Sequence, residues 1–418
     1  MQSKQPVDLL IEARWVLPIA PLNETLSQHS IAVTDGRIVA VGTASAMQAR
    51  FDAREHIVRA QHVLLPGLVN AYTRAATVLE LAQMLRAGIT CFADDSAQPR
   101  EAARVAAAAR IRAVIGLPVA DVSTGGGDGA TAHLAHAELL WDEYKSNPFV
   151  CLQFAPASCE LSDATLTRVR TIADELDARI VMPVHESSAA VRAGLARHGR
   201  RPLRRLHELG LLRPGFTALH MTTLDEHDLE LTARTGIAVV AAPQASLRAG
   251  IGVAPITALL ARDVALGFGS GAHAQACALD MLAEARAAAL YVGAASVPAP
   301  ALEPAVALRL ATLGGAQALG LGSAVGSLEP GKAADIIAVD VTAWSCQALS
   351  SPAETLLFAA TREHVTDVWV GGRAAVTHGR LLAFDEHELA RLAQRWSAGG
   401  ESSTDPHARA VAYAGVAP

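Results

Sequence analysis

The 418-residue chain is long enough for one large α/β barrel with additions, or for two to three average domains. With 51% hydrophobic and 18% charged residues, its composition is that of a globular protein and excludes intrinsic disorder. The net charge of −6 is spread along the chain, which argues against a nucleic-acid-binding surface. Charged residues interrupt the apolar stretches, so no membrane span or secretory signal is expected, and we predict a cytoplasmic protein.

The pattern of apolar residues changes twice along the chain. Residues 8–16 and 30–41 are rich in Val and Ile, and the second segment contains an Asp-Gly turn, which predicts N-terminal β-strands. From residue 63 to about residue 321, eight short apolar runs alternate with helical segments, which is typical of a parallel sheet. The segments predicted after this region are three strands and a final amphipathic helix, at 334–341, 365–370, 374–377 and 386–396.

Eight strand–helix repeats fit a closed barrel better than an open sheet. We therefore predict an α/β fold: a (β/α)8 TIM-type barrel with a composite β-sandwich that the N- and C-terminal segments form together. The predicted units are the N-terminal half of the sandwich, the barrel, the C-terminal half of the sandwich, and a terminal helix with a flexible tail, at 1–62, 63–325, 326–385 and 386–418.

Five segments of the sequence carry a more specific signal. They are 8–11 (Asp-Leu-Leu-Ile), 64–71 (Leu-Leu-Pro-Gly-Leu-Val-Asn-Ala), 311–316 (Ala-Thr-Leu-Gly-Gly-Ala), 326–335 (Gly-Ser-Leu-Glu-Pro-Gly-Lys-Ala-Ala-Asp) and 365–370 (Val-Thr-Asp-Val-Trp-Val). In this order they resemble the amidohydrolase superfamily, in the branch of the S-adenosylhomocysteine / 5′-methylthioadenosine deaminases and s-triazine hydrolases. The resemblance covers about residues 8–396 and implies a metal-dependent hydrolase of C–N or C–halogen bonds.

The resemblance also implies a set of metal ligands at the barrel mouth. These are a His-x-His pair after strand one, one His after each of strands five and six, and an Asp after strand eight, which together activate a water molecule. At the His-x-His positions this chain has Tyr72 and Arg74, a phenol and a guanidinium, and the guanidinium cannot bind a cation. His185 and His220 match the ligands of strands five and six.

Other positions of the family pattern also differ, and the long substrate-covering loop after strand one is missing. At strand eight, Gly269 or Ser270 stands in place of the Asp. The Glu expected three residues after the strand-five His is Ser188, and Glu186 is out of register. The strand-four His that contacts substrate in the deaminases is Ala157 here.

These departures predict a protein that has kept the fold of the family and lost most of its metal ligands. A charge at Arg74 would repel a divalent ion by on the order of 8 kcal/mol at about 4 Å and an effective dielectric of about 20. We therefore expect no cofactor and a non-catalytic pseudoenzyme with a binding or regulatory role. The alternative is a diverged hydrolase of a non-peptide C–N bond, acting on an aminopurine nucleoside or an aminotriazine-like substrate.

In that alternative, His220 and Glu186 are the catalytic candidates, and an altered site holds zinc or iron weakly, with His273 as a recruited ligand. Tyr72, Arg74 and His185 are candidates for binding a small-molecule or anionic ligand, since the forked donors of Arg fit a carboxylate or phosphate. The competing interpretation of Arg74 is an ordinary salt bridge to one of three acidic residues, Asp94, Asp95 or Glu186. We expect a homodimer or pairing with an active paralogue, and neither nucleic acid nor a membrane as partner.

Overall fold

A computed structural model of the chain describes residues 3–74, 77–121, 129–271, 279–295, 301–347 and 350–398. The N-terminal part contains four strands and one helix: β1 Gln5–Val16, β2 Leu26–Thr34, β3 Arg37–Thr43, α1 Ala44–Arg50 and β4 Phe51–Pro66. None of the described helices is long and apolar enough to cross a membrane.

Eight short strands alternate with helices in the middle of the chain. The strands are β5 Leu68–Thr73, β6 Ile89–Asp94, β7 Arg112–Val119, β8 Val150–Pro156, β9 Arg179–Val184, β10 Phe216–His220, β11 Ala238–Ala241 and β12 Leu266–Phe268. The helices are α2 Val78–Arg86, α3 Pro99–Ala109, α4 Gly129–Tyr144, α5 Asp163–Glu175, α6 Ser188–His198, α7 Pro202–Glu208, α8 Glu226–Thr235, α9 Pro243–Ala249, α10 Ile256–Leu260, α11 Met281–Ala295, α12 Pro304–Arg309 and α13 Gly315–Ala318. A π-helical turn, Leu310–Gly314, joins α12 to α13.

The C-terminal part returns to β-structure. Its elements are β13 Ile336–Asp340, α14 Pro352–Phe358, β14 Val365–Val370, β15 Arg373–Thr377, β16 Arg380–Leu381 and α15 Glu386–Ala398. Two 3-10 turns, Trp344–Cys346 and Arg362–His364, flank α14.

One sheet combines strands from both ends of the chain, in the order β16-β15-β14-β13-β4-β1-β2-β3. Within it, β4 pairs in parallel with β1 and antiparallel with β13. The two halves also meet at Ala334, whose N–H donates to the Gly36 carbonyl (2.8 Å) while its own carbonyl accepts from the Gly372 N–H (2.8 Å). Buried apolar side chains such as Ile11, Leu64 and Trp369 fill the space between the halves. The predicted joint β-domain is confirmed.

The second sheet is the predicted barrel, with its eight parallel strands in chain order from β5 to β12. It closes through a parallel bridge between Thr73 and Gly271. Next to this bridge, the Asn70 amide donates to Ser270 Oγ (2.9 Å) and its carbonyl oxygen accepts from the Ser270 N–H (2.9 Å). The carboxyl ends of all eight strands therefore lie around one mouth, where active sites of such barrels are built.

The chain passes from the first sheet into the barrel at Gly67. The predicted barrel region starts at residue 63, so its first apolar run contains the end of β4 and the start of β5. A Cβ at Gly67 would lie 2.0 Å from Thr90 Oγ1, so only glycine lets the backbone turn this closely over the barrel.

A buried ion pair fastens the barrel to the sheet. Arg112 on β7 donates to both carboxylate oxygens of Asp335 (2.8 and 3.1 Å), and the Gly371 N–H also donates to Asp335 (2.8 Å). The Asp335 side chain is 1% exposed, so these three donors replace its hydration. The pair links the amino end of a barrel strand to the turn between β14 and β15.

Candidate active site

His185 follows β9 and is held by backbone and side-chain contacts. Its residue has φ +48°, a left-handed conformation that is unusual for a residue other than glycine and that clusters at functional sites. Its side chain has no exposed surface, Nε2 accepts the N–H of Leu203 (3.2 Å), and Nδ1 lies 3.7 Å from Asp228. The proton of the neutral ring is therefore on Nδ1. Burial lowers the pKa of His185 to about 4, and Asp228 opposes this, so the ring is neutral at pH 7.

The partner carboxylate of His185 belongs to a rigid cap. Asp228 is fully buried in the first turn of α8, where its side chain accepts the Asp225 N–H (3.2 Å) in a reciprocal capping box. Arg201 donates to Asp228 (2.7 Å) and to the Thr223 carbonyl (2.8 Å). These contacts fix the orientation of the His185 ring, and the sequence reasoning missed them. The pattern Asp225-x-x-Asp228 before an apolar helix face was the available signal.

His220 ends β10 and faces two of the other predicted site residues. Its φ is +73°, again left-handed. Its ring meets Tyr72 edge to face, with 5.5 Å between the ring centroids. Nε2 lies 3.8 Å from Glu186 Oε1, and the Glu186 side chain is 53% exposed. The structure thus brings His220, Tyr72 and Glu186 together, and of these three only Glu186 is exposed.

Arg74 forms one of the salt bridges considered from the sequence, that to Asp95. Its NH2 group lies 3.6 Å from Asp95 Oδ2, with 45% of the Arg74 side chain and 13% of the Asp95 side chain exposed. Burial raises the pKa of Asp95 to about 7, which Arg74 opposes and Asp94 reinforces. Burial likewise raises the pKa of the Tyr72 phenol, so this side chain stays neutral.

The end of strand eight supports strand one instead of offering a carboxylate. A Cβ at Gly269 would lie 2.5 Å from the Tyr72 backbone nitrogen and 2.7 Å from its carbonyl oxygen. The hydroxyl and N–H of Ser270 are both bonded to Asn70. Neither residue can take the role of the family's strand-eight acid in this packing.

The described residues do not complete a zinc site. Among them, no three His, Cys, Asp or Glu side chains lie together so as to hold a metal ion. Of the two matching ligands, His185 already uses its Nε2 lone pair to accept the Leu203 N–H. Arg74, which stands in place of a family ligand, cannot bind a cation. The proposed recruit His273 lies outside the described residues. The described residues therefore assign no chemical step to a metal ion.

A buried carboxyl beside the mouth predicts a pH effect on stability. Glu284 in α11 is fully buried and accepts the backbone N–H (3.0 Å) and side-chain amide (3.1 Å) of Gln244. Burial raises the pKa of Glu284 from 4.5 to about 8. The hydrogen bonds from Gln244 act in the opposite direction, and the negative charge of Asp280 adds to the rise. The folded state therefore binds more protons than the unfolded state between these values, and the free energy of unfolding falls as pH rises from about 4.5 to about 8.

Glu284→Gln is expected to flatten this dependence, as measured by chemical denaturation at pH 5, 6, 7 and 8. The matched control is Glu230→Gln, which changes an exposed residue and is expected to keep the slope of the unmodified protein. Equal slopes in the unmodified protein and Glu284→Gln would contradict the assignment.

The closed barrel and the joint sheet define the class of the protein as a TIM-type barrel with a β-domain built from both ends of the chain. The chain belongs to the amidohydrolase family, whose model matches residues 42–375. Among relatives, the 5-methylthioadenosine/S-adenosylhomocysteine deaminase of Saccharophagus degradans is 31% identical over 95% of this chain and 97% of its own. That of Teredinibacter turnerae is 30% identical over 95% of this chain and 98% of its own.

Two solved structures extend the comparison. An adenosine deaminase from Xanthomonas campestris with bound zinc is 34% identical, with a TM-score of 0.92 over 95% of this chain and 99% of its own. A zinc complex of atrazine chlorohydrolase from Arthrobacter aurescens has a TM-score of 0.82 over 92% of this chain and 98% of its own. At 20% identity, this second likeness shows the fold alone.

These comparisons correct the prediction of a non-catalytic pseudoenzyme with a binding or regulatory role, a lost metal site and no cofactor. Relatives named as deaminases match almost the whole chain, and a relative at 34% identity holds zinc. The repulsion between Arg74 and a metal ion was calculated with the full charge of Arg74, although a salt bridge to Asp95 was among the alternatives considered. The Asp95 carboxyl 3.6 Å away offsets part of that charge, so the repulsion of a cation was overstated. The zinc in that relative contradicts the expectation that a protein of this kind has no cofactor.

Proposed function

We propose that the protein is a hydrolase of a non-peptide C–N bond that removes the exocyclic amino group of an aminopurine nucleoside. One observation carries the proposal: the 34% identity, across 95% of the chain, to an adenosine deaminase. The relatives named as 5-methylthioadenosine/S-adenosylhomocysteine deaminases support the same substrate class. The similarity to triazine hydrolases gives no support for an aminotriazine substrate, because it extends only to the fold.

The geometry supports a role for each residue around the mouth. His220 and Glu186, 3.8 Å apart, form a pair that can hold and move a proton beside a bound base. Tyr72 is 4% exposed and packs edge to face against His220, so its neutral phenol suits orienting that ring. A ligand contact by Tyr72 stays a prediction. The exposed guanidinium of Arg74 can bind an anionic group such as the carboxylate of S-adenosylhomocysteine. A ligand contact by His185 stays a prediction, and its buried ring suits a positioning role better.

The test is release of ammonia by the purified, unmodified protein with zinc supplied, using adenosine, 5′-methylthioadenosine and S-adenosylhomocysteine in turn. We expect ammonia from at least one nucleoside and a matching change in ultraviolet absorbance as the aminopurine becomes an oxopurine. Elemental analysis of the same sample measures its zinc content. Folded, zinc-supplied protein that releases no ammonia from any of the three would contradict the proposal. Release of ammonia from an aminotriazine and from none of the nucleosides would assign the protein to the aminotriazine substrate class instead.

The proposed location remains the cytoplasm, in keeping with the free thiols of Cys91, Cys151, Cys159 and Cys346. A homodimer also remains a proposal. Light scattering of the purified protein measures its mass in solution.

A further inference from the structure

Deamination by water needs a group that takes a proton from the attacking water and returns it to the departing amino nitrogen. The resemblance to the amidohydrolases implies that this group is the Asp after strand eight, but here Gly269 and Ser270 provide no carboxylate. Asp94, at the end of β6, is fully buried and accepts both the hydroxyl and the N–H of Ser96. The next residue, Asp95, is differently placed.

Asp95 stands over the carboxyl ends of strands one to three. Its N–H donates to the Thr73 carbonyl on strand one (3.0 Å). Its Oδ1 would lie 3.1 Å from a Cβ added at Gly116 on the neighbouring strand three, so the carboxyl lies beside a position without a side chain. Its Oδ2 lies 3.6 Å from the guanidinium of Arg74. Only 13% of the side chain is exposed, which leaves a narrow opening toward solvent.

The surroundings of Asp95 suit a carboxyl that changes protonation near neutral pH. Burial raises its pKa to about 7, Arg74 acts in the opposite direction, and Asp94 adds to the rise. Tyr72 lies within electrostatic range of Asp95, Arg74 and Glu186, but burial raises its own pKa, so it stays uncharged. Gly116, the neighbour on strand three, carries no charge. A proton acceptor with a pKa close to the working pH is the most effective kind.

We propose that Asp95 is the catalytic carboxyl that moves the proton between water and the leaving amine, with Arg74 as its positioning residue. This inference rests on the proposed function and adds to it the group that replaces the strand-eight acid.

In the proposed reaction, the oxygen of water replaces the amino group on the purine ring. The oxygen of water forms a bond to the carbon that carries the amino group, and Asp95 takes one proton from this water. The adjacent ring nitrogen takes a proton from the pair of His220 and Glu186, which accommodates the displaced electron pair. Asp95 then protonates the amino nitrogen, the C–N bond breaks, and ammonia leaves with the bonding electrons. The hydroxyl proton returns to the pair as the C=O bond forms, so all three residues regain their starting states.

The test compares pH profiles of kcat/KM for ammonia release, with zinc supplied throughout. Asp95 must be ionised to accept a proton, so activity of the unmodified protein is expected to rise through about pH 7. Asp95→Asn is expected to lower kcat/KM by about 10²- to 10⁴-fold and to abolish this rise. Arg74→Gln removes the charge that favours the carboxylate, so it is expected to shift the rise to higher pH.

Asp174→Asn is the matched control, because it breaks a carboxylate–arginine pair with Arg213 (2.8 Å) on the half-exposed side of α5. It is expected to keep both the activity and the pH profile. If Asp95→Asn fails to fold, Asp95→Glu retains a carboxyl and is expected to keep a pH-dependent, reduced activity. If Asp95→Asn keeps the pH profile of the unmodified protein, or if Arg74→Gln does not shift the rise in kcat/KM to higher pH, the inference about Asp95 is overturned and the proposed function is not affected. No ammonia release by the unmodified protein overturns the proposed function as well.

Discussion

Gly269→Ala is expected to lower the free energy of unfolding by about 3 kcal/mol, the upper part of the range for an overpacked interior. The added Cβ would lie 2.5 Å from the backbone nitrogen of Tyr72 and 2.7 Å from its carbonyl oxygen. A flexible side chain could rotate away from such a contact, but these are backbone atoms of the barrel strand that closes onto strand eight. Strand one or strand eight must therefore move, which also disturbs the Asn70–Ser270 bonds.

Gly293→Ala is the matched control for this substitution. Gly293 lies inside α11, where an added Cβ would be 3.9 Å from the nearest atom outside the helix, an ordinary contact. Alanine is favoured over glycine in a helix by about 0.5–1 kcal/mol, so this variant should be as stable as the unmodified protein or more so. Chemical denaturation of both variants measures the difference. Equal midpoints for the two would show that strands one and eight do not meet as described.

Asp335→Ala is expected to destabilise the protein by about 3–5 kcal/mol, the usual cost of removing one partner of a buried ion pair. It leaves the Arg112 guanidinium and the Gly371 N–H without the carboxylate that accepts from both. Because this carboxylate joins the barrel to the sheet, thermal unfolding is also expected to become less cooperative, with the two units melting apart.

Glu101→Ala provides the comparison on the surface. Glu101 pairs with Arg104 one turn along α3 (2.7 Å), and both side chains are partly exposed. Exposed pairs of this kind contribute about 0.2–1 kcal/mol, so the variant should unfold close to the unmodified protein. Similar losses of stability in the two variants would contradict the role given to Asp335. Differential scanning calorimetry measures both the midpoint and the cooperativity.

The barrel and the joint sheet could be predicted because their sequence signals are local and repeated. The eight short apolar runs between helical segments correspond one to one with β5–β12. The boundary between β4 and β5 at Gly67 could not be predicted, because the apolar run continues without interruption from one sheet into the other. Nothing in the run itself marks where its hydrogen-bond partners change.

The site was harder to predict because its decisive contacts join residues far apart in the sequence. His185 and His220 could be found from their positions after strands, but the Leu203 N–H that engages His185 could not. The pairing of Arg74 with Asp95 was one of three choices that the sequence could not separate. That choice determines whether Arg74 stands at the mouth as a lone cation or with part of its charge offset, and the expectation of a lost metal site depended on it.

The position of β4 in the joint sheet has a consequence for how the protein is made. Residues His62–Pro66 pair with Ile336–Asp340, the partners furthest along the chain. During synthesis on the ribosome, this edge of β4 therefore stays unpaired until β13 has emerged, when almost the whole polypeptide has been made. Pairings between such distant segments form slowly and leave strand edges open to association with other molecules. Yield of the native protein should thus respond to chaperone supply and growth temperature more than its final stability would suggest.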